Sequence, residues 1–325
     1  MPARTRPKGW PSRPGMGVGK IVGIGTGSIS TAVRYGFDGL EWRVASPKEP
    51  RVGECNYWEG NRCSLESADL DRSLPGLISS GRASGVLPVS LCAYHRPYEL
   101  TSLARLFAIA SSVGIPMVRV SVPAYDRSRS YHQQFEDLRR QSDHVEVLAR
   151  KHGVRACYLQ HAGTLLPSAS ACYRLLEGRD PAHLGLFLDV GHFVREGYED
   201  FGIVMDLVAP WVAEIHLRNG WMTSVAHRVE GQGRLTPRWC CLDDGQVPLE
   251  LLADTLGRHG WDGWLVLEDF SDRPEVQRLT EGIATMRRME MIAARHRVQA
   301  HGALAGELTG QFMGDSPASH LRVGR

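Results

Sequence analysis

Metal-binding side chain types stand at the ends of short apolar segments in the second half of the chain. The segment "LGLFLD" ends in Asp189, "VAEIHL" contains His216, and "WLVLE" ends in Glu268. Carboxylate and imidazole ligands in this mixture suit Mn²⁺, Co²⁺, Mg²⁺, Fe²⁺ or Zn²⁺. If the segments are neighbouring strands of a parallel barrel, their C-terminal ends meet at one rim. The pattern therefore predicts one divalent metal held by these three residues.

Other polar side chains fall near the ends of further strand-like segments and would face the same rim. We expect His192, three residues beyond Asp189, and Glu268 to be candidate catalytic residues at this rim. The expected substrate-binding residues are His161, Arg218, His95, Glu41 and Arg119. An arginine at such a rim can hold a phosphate or a carboxylate with two hydrogen bonds. For Arg218 a surface salt bridge remains an alternative, and for His161 a plain loop histidine.

The elements that must position these residues alternate along the chain. Eight strand-like apolar segments, from "KIVGIG" to "WLVLED", are separated by helical or loop sequence. Strict alternation indicates parallel strands joined by crossovers, and eight strands close a (β/α)8 TIM barrel. The rival fold is a doubly wound sheet, but "GIGTGSIS" matches its glycine motif incompletely.

The predicted organisation is a single domain with loose ends. Residues 1–19 are expected to be a flexible basic arm, residues 20–298 the barrel, and residues 299–325 a disordered tail. The segment 220–246, rich in Gly, Arg and Trp, is expected to be a lid or binding loop.

Composition restricts the class of partner. The net charge is +2, but residues 1–20 carry five basic side chains and no acidic one, so the body of the chain is acidic. This balance argues against a nucleic-acid partner, which needs a basic surface on the folded domain. Seven cysteines without a CxxC pair indicate a reducing compartment. No apolar run is long enough to span a membrane. We expect a cytoplasmic protein.

The ordered motifs "GFDGLEWRV", "HAGTLLPSASACYRLL", "LGLFLDVGHF" and "VAEIHLRNGW" resemble one known family. It is the xylose isomerase-like sugar phosphate isomerase/epimerase family of the AP endonuclease family 2 superfamily. The resemblance extends from about Lys20 to Ile292. It implies the barrel fold and a divalent metal on Asp189, His216 and Glu268.

One position departs from the family pattern. The family has a glutamate two residues before the histidine that aligns with His161, but this chain has Leu159. That glutamate is the family's fourth metal ligand and, in epimerases, its second proton-transfer carboxylate. Gln160 is adjacent, but strand alternation predicts that it faces the opposite side.

These expectations combine into a hypothesis about function. We expect a metal-dependent isomerase, epimerase or lyase of carbohydrate metabolism, acting on a small-molecule sugar, inositol or keto-polyol through an enediolate-type intermediate. Because Glu268 is the only base left, isomerisation or elimination is expected instead of true epimerisation. The alternative is a metal-free sugar-binding or pseudo-enzyme barrel, or a partner subunit. The sequence leaves a homo-oligomer open.

Overall fold

Within the described part of the chain, eight parallel strands form a closed barrel. The computed structural model describes residues 18–19, 25–45, 64–197, 199–224 and 235–312. The barrel strands are β1 (Val18–Gly19), β2 (Gly39–Arg43), β3 (Leu87–Cys92), β4 (Met117–Val120), β5 (Arg155–Leu159), β6 (Leu184–Asp189), β7 (Val212–Leu217) and β10 (Trp264–Leu267). Their order is β1-β10-β7-β6-β5-β4-β3-β2, and β1 pairs in parallel with both β10 and β2. The predicted (β/α)8 barrel is confirmed.

Helices return the chain between the strands. They are α1 (Gly25–Tyr35), α2 (Leu70–Ala83), α3 (Leu100–Val113), α4 (Tyr131–His152), α5 (Ala169–Leu176), α6 (Val190–Glu196), α7 (Phe201–Val208), α8 (Leu249–Arg258) and α9 (Glu275–Phe312), and a 3₁₀ turn at Ser67–Asp69 precedes α2. The helices α3 and α4 stop at Gly114 and Gly153, whose φ angles are 71° and 64°. Glycine adopts this left-handed conformation without the steric cost of a Cβ.

Two apolar layers lie on either side of the strands. Successive residues of a strand point to opposite faces, so Cys157 and Leu159 face the barrel interior while Ala156 and Tyr158 face the helices. The interior cluster consists of Val89, Met117, Cys157, Leu159, Phe187, Ala213, Trp264 and Val266. The larger outer layer packs the helices against the strands. The interior is therefore filled with side chains, and a site must lie at its rim or among them.

A two-stranded antiparallel hairpin interrupts the alternation after β7. Its strands are β8 (Asn219–Ser224) and β9 (Leu235–Cys240). It occupies much of the segment 220–246 that the sequence assigned to a loop, although residues 225–234 lie outside the described residues. Because the hairpin comes first, the eighth barrel strand is β10.

Asn219 anchors the base of this hairpin. Its Nδ2 donates to the carbonyl oxygens of Leu242 (2.7 Å) and Val247 (3.0 Å). Its Oδ1 accepts from the backbone N–H groups of Gly220 and Val247, both at 2.9 Å. The side chain is buried, so these bonds satisfy peptide groups that water does not reach.

The ends of the chain differ from the sequence expectation. The first strand pairs at Val18–Gly19, before the predicted segment "KIVGIG", and α1 already begins at Gly25; residues 20–24 lie outside the described residues. The last helix, α9, continues to Phe312, well into the predicted disordered tail. Ala, Leu, Gln and Glu in this stretch favour a helix despite the glycines. The described helices include none with the length and apolar character that a membrane span requires. No disulfide joins the cysteines of the described ranges.

Replacing the hairpin anchor tests this account of the segment after β7. Asn219→Ala should lower the free energy of unfolding by about 2–4 kcal/mol, because it leaves buried backbone donors and acceptors unpaired. Urea unfolding followed by circular dichroism measures the change. Thr223→Ala is the control, since it removes an exposed hydroxyl bond from the same hairpin and should cost at most about 0.5 kcal/mol. Equal losses in the two variants would contradict the anchoring role.

Candidate metal centre

Three adjacent strands carry the predicted metal ligands. Asp189 is the last residue of β6, His216 lies near the end of β7, and Glu268 directly follows β10. Strand register places Asp189 beside His216. The backbone N–H of Glu268 donates to the carbonyl oxygen of Leu217 at 3.0 Å, which continues the β10 pairing with β7. Barrel closure therefore brings together residues that are far apart in sequence.

The ligand atoms of Asp189, His216 and Glu268 lie within 4.8 Å of one another. All three residues are buried, and His216 Nδ1 is 3.4 Å from Glu268 Oε2. Two carboxylates and one imidazole at this separation fit a single divalent cation. The structure thus assembles the predicted group, and its donor chemistry suits a metal.

Arg218 lies directly against one of these ligands. Its Nη2 is 2.6 Å from Asp189 Oδ2 and also donates to His192 Nε2 at 3.0 Å. The other Asp189 oxygen accepts from the backbone N–H of Gly191 at 2.9 Å. A Cβ on Gly191 would lie 2.4 Å from Arg218 Nε, so glycine makes room for the guanidinium. Arg218, predicted to bind substrate, is thus a buried partner of Asp189.

Two aromatic rings hold the guanidinium in place. Its carbon lies 4.4 Å from the ring centre of Trp239 on the hairpin and 5.2 Å from that of Phe270, just beyond β10. Arginine stacks favourably on aromatic faces, and this stacking strengthens when water is excluded. The hairpin therefore contributes directly to the rim of the barrel.

His161 and His192 pack against each other beside Arg218, with their ring planes tilted by 48°. Their ring centres are 3.9 Å apart. Burial is the main cause that lowers the pKa of both imidazoles, strongly in His192, where the Arg218 charge adds to the effect. His161 Nδ1 lies 2.7 Å from the carbonyl oxygen of Ala162, so it carries the proton and donates. Both rings are therefore neutral near pH 7, and His161 Nε2 is a hydrogen-bond acceptor.

Leu159 occupies the interior face of β5, where the family resemblance implies a glutamate. It is buried in the interior cluster and pairs in register with Phe187. Gln160 points the other way, as predicted, and its Nε2 donates to the carbonyl oxygen of Pro167 at 2.5 Å. The wall of the site at β5 is therefore apolar.

The remaining predicted substrate residues lie further round the rim. His95 pairs with Glu99 of its own loop at 3.4 Å. Arg119 stacks on the ring of Tyr94 at 4.7 Å and donates to Cys92 Sγ at 3.3 Å. Both side chains thus contact residues on the β3 side of the rim. Their part in substrate binding stays a prediction.

Glu41 and Glu214 lie inside the barrel, on the opposite side of His216 from Glu268. Glu214 Oε2 is 3.1 Å from His216 Nε2, and Glu41 Oε2 is 3.7 Å from the same atom. Burial and then the Glu41 charge raise the pKa of Glu214 to about 7. The sequence predicted that Glu41 binds substrate, and the predicted site residues did not include Glu214. The available signal was a glutamate two residues before His216 in an otherwise apolar strand, which places both on one face.

A family of known proteins has the same fold, and its sequence model matches most of this chain. The sequence model of the xylose isomerase-like TIM barrel family matches residues 29–289, and the chain belongs to that family. The resemblance read from the motifs is confirmed.

Among curated relatives, an inosose dehydratase of Mesomycoplasma hyopneumoniae is 27% identical over 157 residues, which cover 45% of this chain and 51% of the relative. The match thus spans about half of that protein. The 3-keto-D-glucoside 4-epimerase from E. coli has a similar structure, with a TM-score of 0.61, 13% identity and coverage of 84% and 98%. So has the IOLI protein with a bound zinc atom, with a TM-score of 0.61, 13% identity and coverage of 86% and 98%. At this identity the structural likeness shows the fold.

Leu159→Glu tests the apolar wall. Adding a charged ligand to three existing ones should tighten Zn²⁺ or Co²⁺ binding by at least about tenfold, or about 1.4 kcal/mol. In the metal-free protein the same change should lower stability, because an unpaired carboxylate replaces a packed leucine. Chelator-competition titration and thermal melting measure the two effects. Leu159→Gln, of equal length but uncharged, is the control. Unchanged affinity in a folded Leu159→Glu protein would show that this side chain does not reach the metal.

Proposed function

We propose that this protein is a divalent-metal-dependent isomerase or lyase acting on a sugar, inositol or keto-polyol. The observation that carries the proposal is the convergence of Asp189, His216 and Glu268 within 4.8 Å at the barrel rim. When bound there, a divalent metal would polarise a substrate carbonyl and stabilise negative charge on its oxygen.

Glu268 is assigned as the base. It is the longer of the two carboxylates in the ligand group, and it stands at the edge of the site with 8% of its surface exposed, compared with 1% for Asp189. Its carboxylate removes a proton from the carbon beside the carbonyl. In an isomerisation the proton returns to the carbonyl carbon, while the proton of the adjacent hydroxyl passes to the carbonyl oxygen. In an elimination the proton passes to a leaving hydroxyl on the same face, which departs as water as the carbon–carbon double bond forms.

Leu159 limits the reaction to one face of the substrate. True epimerisation by two bases needs a second carboxylate across the site, and the β5 position that would supply it carries an alkyl side chain in the interior cluster. With Glu268 serving one face only, isomerisation or elimination is the favoured chemistry.

The imidazole pair and Arg218 are assigned to bind the substrate and to orient the charged groups beside it. His161 Nε2 is assigned to accept a hydrogen bond from a substrate hydroxyl, since its Nδ1 is committed to Ala162. His192 Nε2 already accepts from Arg218, so His192 is assigned to position that guanidinium beside Asp189 instead of moving protons itself. The guanidinium offsets the charge of Asp189.

The comparisons support this class of activity. An inosose dehydratase is a lyase, and a 3-keto-D-glucoside 4-epimerase acts on a carbohydrate ketone. The IOLI structure of the same fold holds zinc. Inosose-like polyols and keto-sugars are therefore the first substrates to assay. The oligomeric state and a cytoplasmic location stay predictions from the sequence.

A metal-free binding barrel is the second candidate, and one observation favours it. The Arg218 guanidinium is a buried positive charge only 2.6 Å from Asp189, so it compensates a carboxylate that would otherwise need a cation. Together with Leu159, this arrangement describes a site that holds a polyol without a metal. Metal content separates the two candidates.

Metal uptake is the direct test of the proposal. The purified protein should contain, or take up, about one Mn²⁺, Co²⁺ or Zn²⁺ per chain. At a metal concentration of about 100 times Kd, binding should stabilise the fold by about 2.7 kcal/mol. Elemental analysis and thermal melting measure both quantities. Asp189→Ala should abolish uptake, whereas Glu196→Ala, an exposed carboxylate outside the ligand group, should not. Absence of bound metal and of any shift would favour the metal-free barrel.

Glu268→Gln tests the base. The fold should survive, and the amide oxygen should retain part of the metal affinity, but turnover should fall by about 10²–10⁴-fold, the usual contribution of one general base. In D₂O, the wild-type enzyme should deliver deuterium to a single face of a keto-sugar or inosose, read by NMR. Full inversion at a carbon, with Glu268→Gln still active, would refute the assignment and direct attention to His161 and His192.

A further inference from the structure

Glu214 is a fully buried charged residue that the proposed reaction does not use. The pairing of β6 with β7 is irregular: Leu186 pairs with Val212, and the next residue, Phe187, pairs with Glu214. Such an irregularity re-aims side chains. It places Ala213 in the interior cluster and Glu214 beside His216, with both groups buried. The fold thus brings a carboxylate into the apolar interior at a metal-ligand histidine.

The two nitrogens of His216 face opposite partners. Nδ1 lies 3.4 Å from Glu268 Oε2, on the side of the ligand group, and Nε2 lies 3.1 Å from Glu214 Oε2. A neutral imidazole carries one proton, and the nitrogen that binds a metal must be the unprotonated one. Which nitrogen is protonated depends on the hydrogen bond that the other end of the ring makes.

We propose that Glu214 is the positioning residue of His216. Its carboxylate accepts a hydrogen bond from Nε2–H and so fixes the tautomer in which Nδ1 is unprotonated and directed at Asp189 and Glu268. The inference rests on the proposed function only in taking a metal as the ligand of Nδ1; the hydrogen bond and the tautomer belong to the metal-free protein as well.

Glu214 suits this role better than the neighbouring Glu41. Glu41 Oε2 is farther from His216 Nε2, at 3.7 Å, than Glu214 Oε2, at 3.1 Å. Phe187 packs on His216 with ring centres 5.5 Å apart. Packing by an apolar ring restricts where the imidazole lies but does not choose between its nitrogens. The choice needs a hydrogen-bond acceptor, which Glu214 supplies at 3.1 Å.

Two substitutions at Glu214 separate its charge from its hydrogen bond. Glu214→Gln keeps an acceptor oxygen and loses the charge, whereas Glu214→Leu loses both. Cys157→Ala is the control, because it changes a neighbouring side chain of the barrel interior and leaves the Glu214–His216 hydrogen bond in place. Co²⁺ affinity is measured by chelator competition. The His216 tautomer is measured by ¹⁵N NMR on metal-free, histidine-labelled protein, with the signal assigned from its loss in His216→Gln.

We expect Co²⁺ affinity to fall by about tenfold in Glu214→Gln and about 100-fold in Glu214→Leu, the range known for partners of metal-bound histidines. Cys157→Ala should bind as the wild type does. The wild type and Glu214→Gln should show the Nε2–H tautomer, and Glu214→Leu should lose it. If Glu214→Leu does not fold, the Glu214→Gln affinity and the wild-type tautomer still decide the question.

Three results would overturn the inference. They are wild-type affinity in Glu214→Leu, an Nδ1–H tautomer in the wild type, and a second bound metal per chain that Glu214→Leu removes, which would make Glu214 a ligand. If the wild type binds no metal, the proposed function fails. In that case a tautomer that depends on Glu214 still supports the positioning role, and a tautomer independent of Glu214 overturns it.

Discussion

The burial of four carboxylates around one imidazole is the constraint on which the rest of this site depends. Asp189 and Glu268 lie at the rim beside His216, and Glu41 and Glu214 lie beneath it. Carboxylates removed from water are costly unless hydrogen bonds or cations compensate them. The Arg218 guanidinium offsets the charge of Asp189. Burial raises the pKa of Glu214 to about 7. The arrangement retains an excess of negative charge that a divalent cation would neutralise.

A four-residue stretch at the end of β7 links the elements that satisfy this constraint. His216 offers its two nitrogens to the two carboxylate pairs, Arg218 compensates Asp189, and Asn219 anchors the hairpin. The hairpin in turn supplies Trp239, on which Arg218 stacks. The hairpin after β7 is therefore part of the site, because its Trp239 is one of the two aromatic rings on which the Arg218 guanidinium stacks.

The apolar wall at β5 gives the site its asymmetry. Leu159 packs with Phe187 and Cys157, so the interior surface on that side offers dispersion contacts but no ligand and no proton acceptor. Three of the four buried carboxylates lie on or just beyond β6, β7 and β10, with the imidazole pair beside them, and Glu41 comes from β2. Under the proposed function, a substrate meets Glu268 from one side and hydrocarbon from the other.

The sequence alone predicted the barrel, the group of Asp189, His216 and Glu268 that the closed barrel brings within 4.8 Å, and the inward direction of Leu159. Those inferences need only local rules: strand alternation decides which face a residue occupies, and parallel closure brings the C-terminal ends of strands together. The same alternation rule predicts that Glu214 lies on the same face as His216, since it stands two residues before it in the strand. The sequence predicted a disordered tail from residue 299, whereas α9 continues to Phe312, because helix formers stand between the scattered glycines.

Tertiary structure decided what each polar group touches. Arg218 could equally have faced solvent, and its place against Asp189 follows from the space at Gly191 and from rings supplied by the hairpin and by the segment after β10. The position of Glu41 beneath His216 depends on irregular pairing between β2 and β3. Contacts of this kind arise between segments distant in sequence, so no local pattern encodes them, and only the closed and packed barrel brings their atoms within hydrogen-bonding distance.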